Sequence, residues 1–238
     1  MTLAELAVQG QVSRMCGRYT YRLSWKQIVE LYRLTLPEEP PPLLRESYNV
    51  APTDVMPIIR PAGNGRELLL AGWGLVPFWL KAEQLDRQPY ATINARADRV
   101  QTAPTYREPF KKRRCLVPAT GWYEWQKTGP KEKKPFHFQP AAKPFALAGV
   151  YDVWKADGKS AVTSFSIVTT NAAPSTARYH DRMPLVLEED QFDDWMRGPS
   201  ELAADMMKPY GGELEIWEVG AAVGNVRNKG PELMEPVA

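Results

Sequence analysis

Residues 114–127, RCLVPATGWYEWQK, and residues 134–141, KPFHFQPA, decide the fold class of this chain. The second segment alternates in the manner of a strand, and the first is rich in aromatic and aliphatic residues. Between them lies TGPKEK (128–133), which holds a glycine and a proline. Turn residues between two strand-like segments predict a β-hairpin, so we expect strands to dominate the fold.

The chain on either side of this hairpin predicts more strands, with helices only at the edges. Predicted strands cover residues 54–63 and 66–79 around a turn at Gly63–Gly65, and residues 144–155, 164–172 and 213–219. Helices are predicted at 24–34 with Ser24 as N-cap, at 188–198 stopped by Gly198, and at 200–208, while 37–47 is a proline-rich connection and 81–113 mixes loop and helix. No regular βαβ alternation occurs. The sequence therefore predicts an α+β single domain with a mainly antiparallel, barrel-like β core and peripheral short helices.

The composition is that of an ordinary globular protein. The chain has 238 residues, of which 44% are hydrophobic and 24% charged, and its net charge is +2. That mild charge does not by itself indicate a nucleic-acid partner. Tryptophan is frequent, with 8 residues; most should lie in the core, and an exposed minority could stack on nucleobases.

Targeting and redox signals place the protein inside the cell. Its two cysteines, Cys16 and Cys115, form neither a disulfide framework nor a metal-binding CxxC pair, which predicts a reducing, cytoplasmic setting. The first 14 residues lack the apolar core of a secretory signal, and no apolar run is long enough to span a bilayer. No metal, cofactor or membrane partner is expected.

Three side chains are candidates for proton transfer. His180 lies in the polar stretch RYHDRMP, and either catalysis or holding the loop backbone suits it. His137 sits between two phenylalanines of a predicted strand, where a structural role is favoured. Glu124, in GWYEW, is either a desolvated acid–base group among aromatic rings or a surface glutamate, and local context alone favours the surface.

The other polar motifs carry little chemical information by themselves. Asn94 and Asn225 lie in turn-prone contexts, and single arginines are most often solvated. The runs KKRR (111–114) and KEKK (131–134) are typical of solvated faces. No Walker A, GxGxxG, GxSxG or HExxH motif occurs, so nucleotide-dependent, serine-hydrolase and zinc-peptidase functions lose their usual support.

Seven short motifs, taken in order, resemble the SOS-response-associated peptidase (SRAP) family. They run from Met15 almost to the C-terminus: MCGRY, YNVAPT, WGLVPFW, INARAD, CLVPATGWYEW, YHDRMPLVL and VGNVRNKG. The resemblance implies a barrel-like domain over residues 15–238 with a groove for single-stranded DNA. It also implies that the protein captures abasic sites in DNA as a monomer, and that it is nucleoid-associated when bound to damaged DNA.

The implied reaction needs an N-terminal cysteine. In the family, the α-amine of that cysteine attacks the aldehyde at C1′ of an abasic sugar and gives a Schiff base, which the thiol then closes to a thiazolidine. An unperturbed α-amine has a pKa of about 7.7–8.0, so part of it is nucleophilic at neutral pH. Ring closure is favoured because the thiol is already held beside the imine carbon.

Roles carry over from the family onto matching positions of this chain. Cys16 resembles the nucleophile, Glu124 the acid–base carboxylate, His180 the histidine that assists ring opening and crosslink formation or reversal, and Asn94 the amide that orients the sugar oxygen. The positions similar to phosphate clamps are Arg18, Arg96 and Arg182, and those associated with the DNA groove are Asn49, Pro52, Trp79 and Thr169, with Pro52 near the bend in the strand. Cys115 keeps a structural interpretation.

The segment before Cys16 raises alternatives, because an amide nitrogen at Cys16 cannot form a Schiff base. Translation from Met15 followed by methionine removal is the favoured explanation; residues 1–14 are then an extension, disordered or removed. The leader could instead be cleaved before Cys16, by another protease or by the chain itself; in the second case the chain is a self-processing cysteine peptidase with His180 or Glu124 activating the thiol. If the leader persists, the chain is a non-covalent single-stranded DNA-binding module. A lyase-like activity on the lesion is also compatible with the resemblance.

Overall fold

The computed structural model describes residues 17–35, 37, 39–42, 44–87, 92–156, 158 and 160–237. The strands are β1 (Tyr19–Tyr21), β2 (Ser47–Val50), β3 (Val55–Ala62), β4 (Gly65–Trp73), β5 (Asn94–Arg96), β6 (Arg114–Pro118), β7 (Gly121–Lys127), β8 (Lys133–Pro140), β9 (Phe145–Trp154), β10 (Val162–Asn171), β11 (Arg182–Pro184), β12 (Val186–Glu188) and β13 (Leu214–Glu218). The α-helices are α1 (Trp25–Tyr32), α2 (Arg107–Lys112), α3 (Phe192–Arg197) and α4 (Ser200–Asp205). Short 3₁₀ turns lie at Ala82–Arg87, Glu189–Gln191, Ala221–Gly224 and Pro231–Met234.

Two sheets build the molecule. The first is antiparallel, with the strand order β13-β8-β7-β1-β2. In the second, β10, β4, β3, β6 and β9 pair in that order, and β9 pairs again with β10, which closes a ring. Strands β5, β11 and β12 attach to that ring, and β10 pairs in parallel with β4 and β5. The predicted α+β class with a barrel-like, mainly antiparallel core is confirmed.

The predicted hairpin is confirmed over β7 and β8, but the segment before it divides. Trp122 pairs with Phe138 and Lys127 with Lys133 across the hairpin. Upstream, β6 pairs with β9 of the ring, so the prediction of one continuous strand over residues 114–127 was wrong. The chain crosses between sheets at Ala119–Thr120, where the Thr120 amide donates to the Thr20 carbonyl at 2.7 Å. A long-range partner, β1, therefore decides where the second strand starts.

Close packing inside this hairpin explains the glycine at its start. A Cβ atom on Gly121 would lie 2.3 Å from Cε1 of His137 and 2.7 Å from the Phe138 carbonyl oxygen. Because the second of these atoms belongs to the backbone of the paired strand, the neighbours cannot move aside cheaply. Gly121 thus lets β7 and β8 pair above the His137 ring.

The predicted helices are confirmed, and local signals set their ends. Ser24 caps α1 in a capping box with Gln27, and Ile28 and Tyr32 face the core. The Gly198 amide donates to the Asp194 carbonyl at 3.0 Å and ends α3. Several bounds differ from the predictions: β4 stops at Trp73, α4 ends at Asp205, and the mixed region 81–113 contains the short strand β5.

The first sheet has a different cover on each face. One face packs on the ring and shares the main core, to which Tyr19, Trp122 and Phe138 belong. The other face meets the C-terminal segment through a smaller cluster of Tyr123, Val219, Val223 and Leu233. The space between the sheets and the edge at the C-terminal segment are therefore the two places where polar groups meet buried strands. No helix in the described residues is long and apolar enough to cross a membrane.

Candidate functional site

Glu124 lies on β7 and faces the second sheet. It pairs directly with Phe136 of β8, and its residue is only 4% exposed. Side chains alternate along a strand, so Tyr123 and Trp125 point to the other face, where they contact the C-terminal cluster. The interpretation of Glu124 as a surface glutamate is therefore wrong, because the ring of strands covers that face.

His180 reaches the same face of the first sheet from the loop before β11. The ring of its neighbour Tyr179 packs on Phe136 and Phe138, with centroids 4.6 and 5.2 Å apart. The side-chain amide of Gln126, two residues beyond Glu124 on β7, donates to the Arg178 carbonyl at 3.0 Å. These contacts bring the His180 loop to the strand positions that carry Glu124.

Hydrogen bonds orient the His180 ring. The Arg182 amide donates to its Nδ1 at 3.0 Å. The same nitrogen also lies 3.3 Å from the Arg182 carbonyl oxygen, which can only accept, so these contacts fix the orientation of the ring and leave its tautomer open. The exposed Asp181 carboxylate lies 3.0 Å from the same nitrogen and forms an ion pair with it only when the ring is protonated. The loop-holding role that the sequence left open is thus observed, and it orients the ring.

Asn94 approaches from the second sheet. It is the first residue of β5, is 3% exposed and pairs with Ile167 of β10. The Tyr106 hydroxyl donates to its carbonyl oxygen at 3.1 Å. The adjacent Ile93 carbonyl accepts from the indole of Trp73 at 2.9 Å, and that indole lies 5.1 Å from the Tyr19 ring of β1. Asn94 therefore borders the same junction between the sheets as β1 and β7.

The predicted nucleophile, Cys16, and the leader 1–14 lie outside the described residues. The described chain begins at the buried residue Gly17, to which Cys16 is bonded. The next residue, Arg18, accepts a hydrogen bond at its carbonyl oxygen from the Tyr123 amide at 3.0 Å. The described part of the chain thus begins beside the residue that precedes Glu124.

Arg182 and Thr169 form one buried unit at the end of β10. The Arg182 guanidinium donates to Oγ1 of Thr169 at 3.2 Å, to the Thr169 carbonyl and to Oδ1 of Asn171 at 3.4 Å. Thr169 is 0% and Arg182 6% exposed, and burial lowers the pKa of Arg182 below its ordinary value. Their predicted contacts with DNA stay predictions, since this geometry shows Arg182 holding β11 onto β10.

Arg96 is an exposed cation of this region. It pairs with Thr169 through the β5–β10 register, and its guanidinium makes two hydrogen bonds to Asp98, at 3.0 and 2.9 Å. Those bonds raise the pKa of Arg96 above its ordinary value. An exposed, bidentate-capable guanidinium beside the junction suits a phosphate contact.

Arg18 and Asn49 tie the start of the domain to the C-terminal segment. Arg18 donates to the Val223 carbonyl at 2.7 Å and to Oδ1 of Asn49 at 3.1 Å, with its guanidinium 5.9 Å from the Trp125 ring. Burial lowers the pKa of Arg18. The Asn49 amide group donates to the carbonyl oxygens of Val223, Asn225 and Asn228 at 3.0–3.2 Å. We call residues 223–229, held in this way, the C-terminal strap.

Pro52 occupies a turn that the same strap braces. The Asp54 amide donates to the Ala51 carbonyl at 3.1 Å, which leaves Pro52 and Thr53 at the corners. Thr53 has φ 78°, a conformation that a β-branched residue rarely adopts and that often occurs at functional sites. Nζ of Lys229 closes the turn from the strap, 2.8 Å from Oδ2 of Asp54 and 2.7 Å from the Asn49 carbonyl.

Comparison with known proteins decides the family. The model of the SOS response associated peptidase (SRAP) family matches residues 15–226. The chain belongs to the SRAP family. It is 32% identical to the abasic site processing protein YoqW of Bacillus subtilis, over 93% of this chain and 99% of that one. It is 31% identical to the abasic site processing protein YedK of Escherichia coli, over 94% of this chain and 100% of that one.

A solved structure supports the fold of this SRAP chain. A crystal structure of a protein from Bacteroides thetaiotaomicron superposes with a TM-score of 0.74 at 28% identity. The match covers 82% of this chain and 88% of the other. Both the sequence and the architecture therefore align with the family over most of the domain.

The SRAP domain uses its remaining histidine and cysteine structurally. His137 is 0% exposed, packs against Tyr123 and Trp217, and lies 3.3 Å from the Thr20 hydroxyl. Burial lowers its pKa to about 3, so the ring is neutral at physiological pH. Cys115 is buried, and burial raises the pKa of its thiol. Both sequence interpretations are confirmed.

Several supporting residues of the SRAP site escaped the sequence analysis. Gln126, Tyr106 and Lys229 each make a contact that places a candidate residue or its loop. Period 2 along β7 could have indicated Gln126, since it shares the face of Glu124. Nothing local to the sequence points to Lys229, because its partners lie about 175 positions away. In the residues that the model describes, no cluster of three His, Cys, Asp or Glu side chains could hold a metal ion.

Proposed function

We propose that this chain processes abasic sites in single-stranded DNA by covalent capture through Cys16. One observation carries the proposal: the buried Glu124 lies on the strand next to the start of β1. Its neighbour Tyr123 donates a backbone hydrogen bond to the carbonyl oxygen of Arg18. Cys16 precedes Arg18 by two residues. Membership of a family with relatives named abasic site processing proteins supports the substrate class.

The reaction is balanced without a cofactor. The neutral α-amine of Cys16 adds to the C1′ aldehyde, and the former aldehyde oxygen leaves C1′ as water, with protons supplied from the amine through the acid–base group, to give a Schiff base. The thiol then adds across the C=N bond; sulfur bonds to C1′ and the thiol proton passes to nitrogen. The product is a thiazolidine, and nothing is oxidised or reduced.

The surrounding residues have distinct roles in this scheme. Glu124, shielded between the sheets, receives the amine proton and returns one to the departing oxygen. His180 donates a proton toward O4′ when the ring of the sugar opens. Asn94 orients the oxygen and the new heterocycle.

DNA is held in the proposal by the groups around that junction. Arg96 offers an exposed guanidinium to a phosphate, while Arg18 and Arg182 support the groove from buried positions beside it. Asn49, Pro52, Trp79 and Thr169 complete the predicted groove. The strained turn at Pro52–Thr53 suits a wedge against the bend of the strand.

The test compares three proteins: the full chain, a chain that begins at Cys16, and the same shorter chain with Cys16→Ala. Each is incubated with an abasic oligonucleotide and analysed on a denaturing gel and by intact mass. The chain that begins at Cys16 should give a heat-resistant band whose mass equals protein plus DNA minus one water molecule. The alanine variant keeps the amine but lacks the thiol, so it should give a band only after borohydride reduction.

Two outcomes would count against the proposal. The absence of a heat-resistant band with a verified N-terminal Cys16 would exclude thiazolidine formation. Equal crosslinking by the alanine variant without reductant would show that the thiol is not needed. The intact mass of the full chain, with and without Cys16→Ala, also tests self-processing, because loss of residues 1–15 at equal rates in both proteins would exclude this thiol as the peptidase nucleophile.

A further inference from the structure

The turn Pro77–Leu80 presents two adjacent aromatic rings to solvent. The Leu80 amide donates to the Pro77 carbonyl at 3.0 Å, so Phe78 and Trp79 occupy the two corners of the turn. Their residues are 50% and 49% exposed, the largest aromatic side chains among the exposed hydrophobics of the described residues. Exposed adjacent rings on a soluble domain are unusual and indicate a contact surface.

Contacts on both sides anchor the turn although its rings are exposed. The Val76 amide donates to Oγ of Ser164 at 2.8 Å, and the Leu80 carbonyl accepts from the Trp154 indole at 2.8 Å. Val76 and Leu80 also pack with Leu85 and Trp154 in a separate apolar cluster. A ring held in place before binding loses little conformational entropy when a ligand stacks on it.

A buried carboxylate organises the Phe78 side of the turn. Oδ2 of Asp152, a residue 2% exposed, accepts from the Phe78 amide at 2.9 Å, while its Oδ1 lies 3.2 Å from the Arg113 guanidinium. Arg113 in turn lies 6.0 Å from the centre of the Phe78 ring. One carboxylate thus fixes both the backbone of the ring and the cation beside it.

This platform adjoins the candidate site. Leu75, three residues before Phe78, donates to the Thr92 carbonyl at 3.2 Å, and Thr92 precedes Asn94 by two residues. A chain reaches at most about 3.6 Å per residue, so the Phe78 backbone lies within about 11 Å of Leu75. The exposed Lys111 at the end of α2 adds positive charge near Arg113.

We propose that Phe78, with the Arg113 guanidinium beside its ring, is a second stacking position for an unpaired nucleobase, distinct from Trp79. Every nucleobase has a π face, and aromatic rings combined with arginine are the groups that bind it without sequence preference. The inference rests on the proposed binding of single-stranded DNA. It adds one contact to that binding: the stacking of Phe78 on a single base that lies at a fixed distance from the lesion.

The test measures one base at a time. A fluorescein-labelled single strand carries tetrahydrofuran spacers, which have no base and no aldehyde, at every position except one; the retained base is moved stepwise away from the central spacer. Fluorescence anisotropy gives the affinity of the full chain for each strand and for the all-spacer strand. The affinity for the strand with one base, divided by the affinity for the all-spacer strand, gives the contribution of that base. Cys16 does not affect this ratio, because the spacers have no aldehyde with which it could react.

At one offset, Phe78→Ala should reduce this ratio about 5- to 10-fold, while binding of the all-spacer strand stays unchanged. Phe78→Tyr should retain the ratio, and Trp79→Ala should act at a different offset. Leu202→Ala is the matched control, since it removes an exposed apolar side chain from α4.

Three results separate the possibilities. If the wild-type chain binds no strand, the proposed function itself fails. If the wild-type chain binds, a retained base should raise its affinity at some offset. If Phe78→Ala leaves the affinity ratio unchanged at every offset, the second stacking position is excluded. If Phe78→Ala leaves all ratios intact but abolishes a concentration-dependent increase in molecular mass, the two rings pair copies of this chain instead, and the inference is overturned.

Discussion

Glu124 illustrates what a single residue can and cannot reveal before the fold is known. The stretch GWYEW shows by its period that Glu124 faces away from Tyr123 and Trp125. It does not show which of the two faces is open to water. In the structure both faces are covered, one by the ring of strands and the other by the C-terminal segment, so the carboxyl group is buried in either case.

Replacing this carboxyl group tests its role in proton transfer. Glu124→Gln keeps the shape but cannot accept a proton, so we expect the single-turnover rate of crosslinking by the chain that begins at Cys16 to fall about 100-fold. Glu215→Gln, on the exposed edge strand β13 of the same sheet, is the control and should leave the rate unchanged. A rate for Glu124→Gln within twofold of wild type would remove Glu124 from the mechanism.

His137 predicts how stability depends on pH. Its pKa is about 3 in the folded protein and about 6.5 in the unfolded chain, so the unfolded state binds more protons between these values. Stability should therefore fall as the pH drops below about 6.5. From pH 7.5 to pH 5 this residue alone should lower the free energy of unfolding by about 2 kcal/mol.

Urea unfolding at several pH values checks that expectation. His137→Gln removes the titrating group, so its free energy of unfolding should fall by about 2 kcal/mol less than wild type over the same range. The chain has only one other histidine, His180, and it is present in both proteins. Identical pH dependence in the two proteins would show that His137 is not the buried neutral ring described here.

At the scale of elements, the C-terminal strap holds the start of the domain in place. The side chain of Asn49 donates to three strap carbonyls and accepts from Arg18; the bonds to Val223 and Arg18 are buried, and those to Asn225 and Asn228 are partly buried. Buried carbonyl groups that lose their donors keep the full cost of leaving water. The strap therefore connects the last turns of the chain to the strand that follows Cys16.

Truncating Asn49 should show how much the strap contributes. We expect Asn49→Ala to lower the free energy of unfolding by about 2–4 kcal/mol, because the Arg18 guanidinium and three strap carbonyls, buried or partly buried, each lose a partner at once. Asn64→Ala, at an exposed turn, should change it by less than about 0.5 kcal/mol. Equal stabilities of the two variants in urea would mean that the strap does not depend on this amide.

The hairpin shows why the bounds of elements were harder to predict than their existence. RCLVPATGWYEWQK has the composition of one long strand, yet its first part pairs with β9 and its second with β1 and β8. Strand ends depend on partners from distant parts of the chain, which no local pattern contains. The helix α1, by contrast, begins where its own capping box predicts, because that signal is local.

For the whole molecule, the net charge of +2 is too small to attract DNA by itself. The proposed binding of DNA then depends on a few local cations, and Arg96 is one exposed cation at the junction between the sheets. Each phosphate contact to a single strand contributes about −0.7 to the slope of log K against log salt concentration. Arg96→Gln should therefore make that slope less negative by about 0.7.

Anisotropy titrations of a single strand at several salt concentrations measure this slope. Lys26→Gln, on the exposed face of α1, removes the same charge away from the junction and should leave the slope unchanged. An unchanged slope for Arg96→Gln, or an equal change for both variants, would exclude a specific phosphate contact at Arg96.

The sequence by itself determined the α+β class, the main helices, the central hairpin and, through seven ordered motifs, the family. These features rest on local periodicity, capping and turn residues, or on short runs of specific residues. Only the tertiary structure decided that Glu124 is buried, that β6 and β7 belong to different sheets, and that Lys229 of the strap contacts Asp54. Each of these depends on contacts between segments far apart in the chain, and burial is a property of what covers a residue rather than of the residue itself.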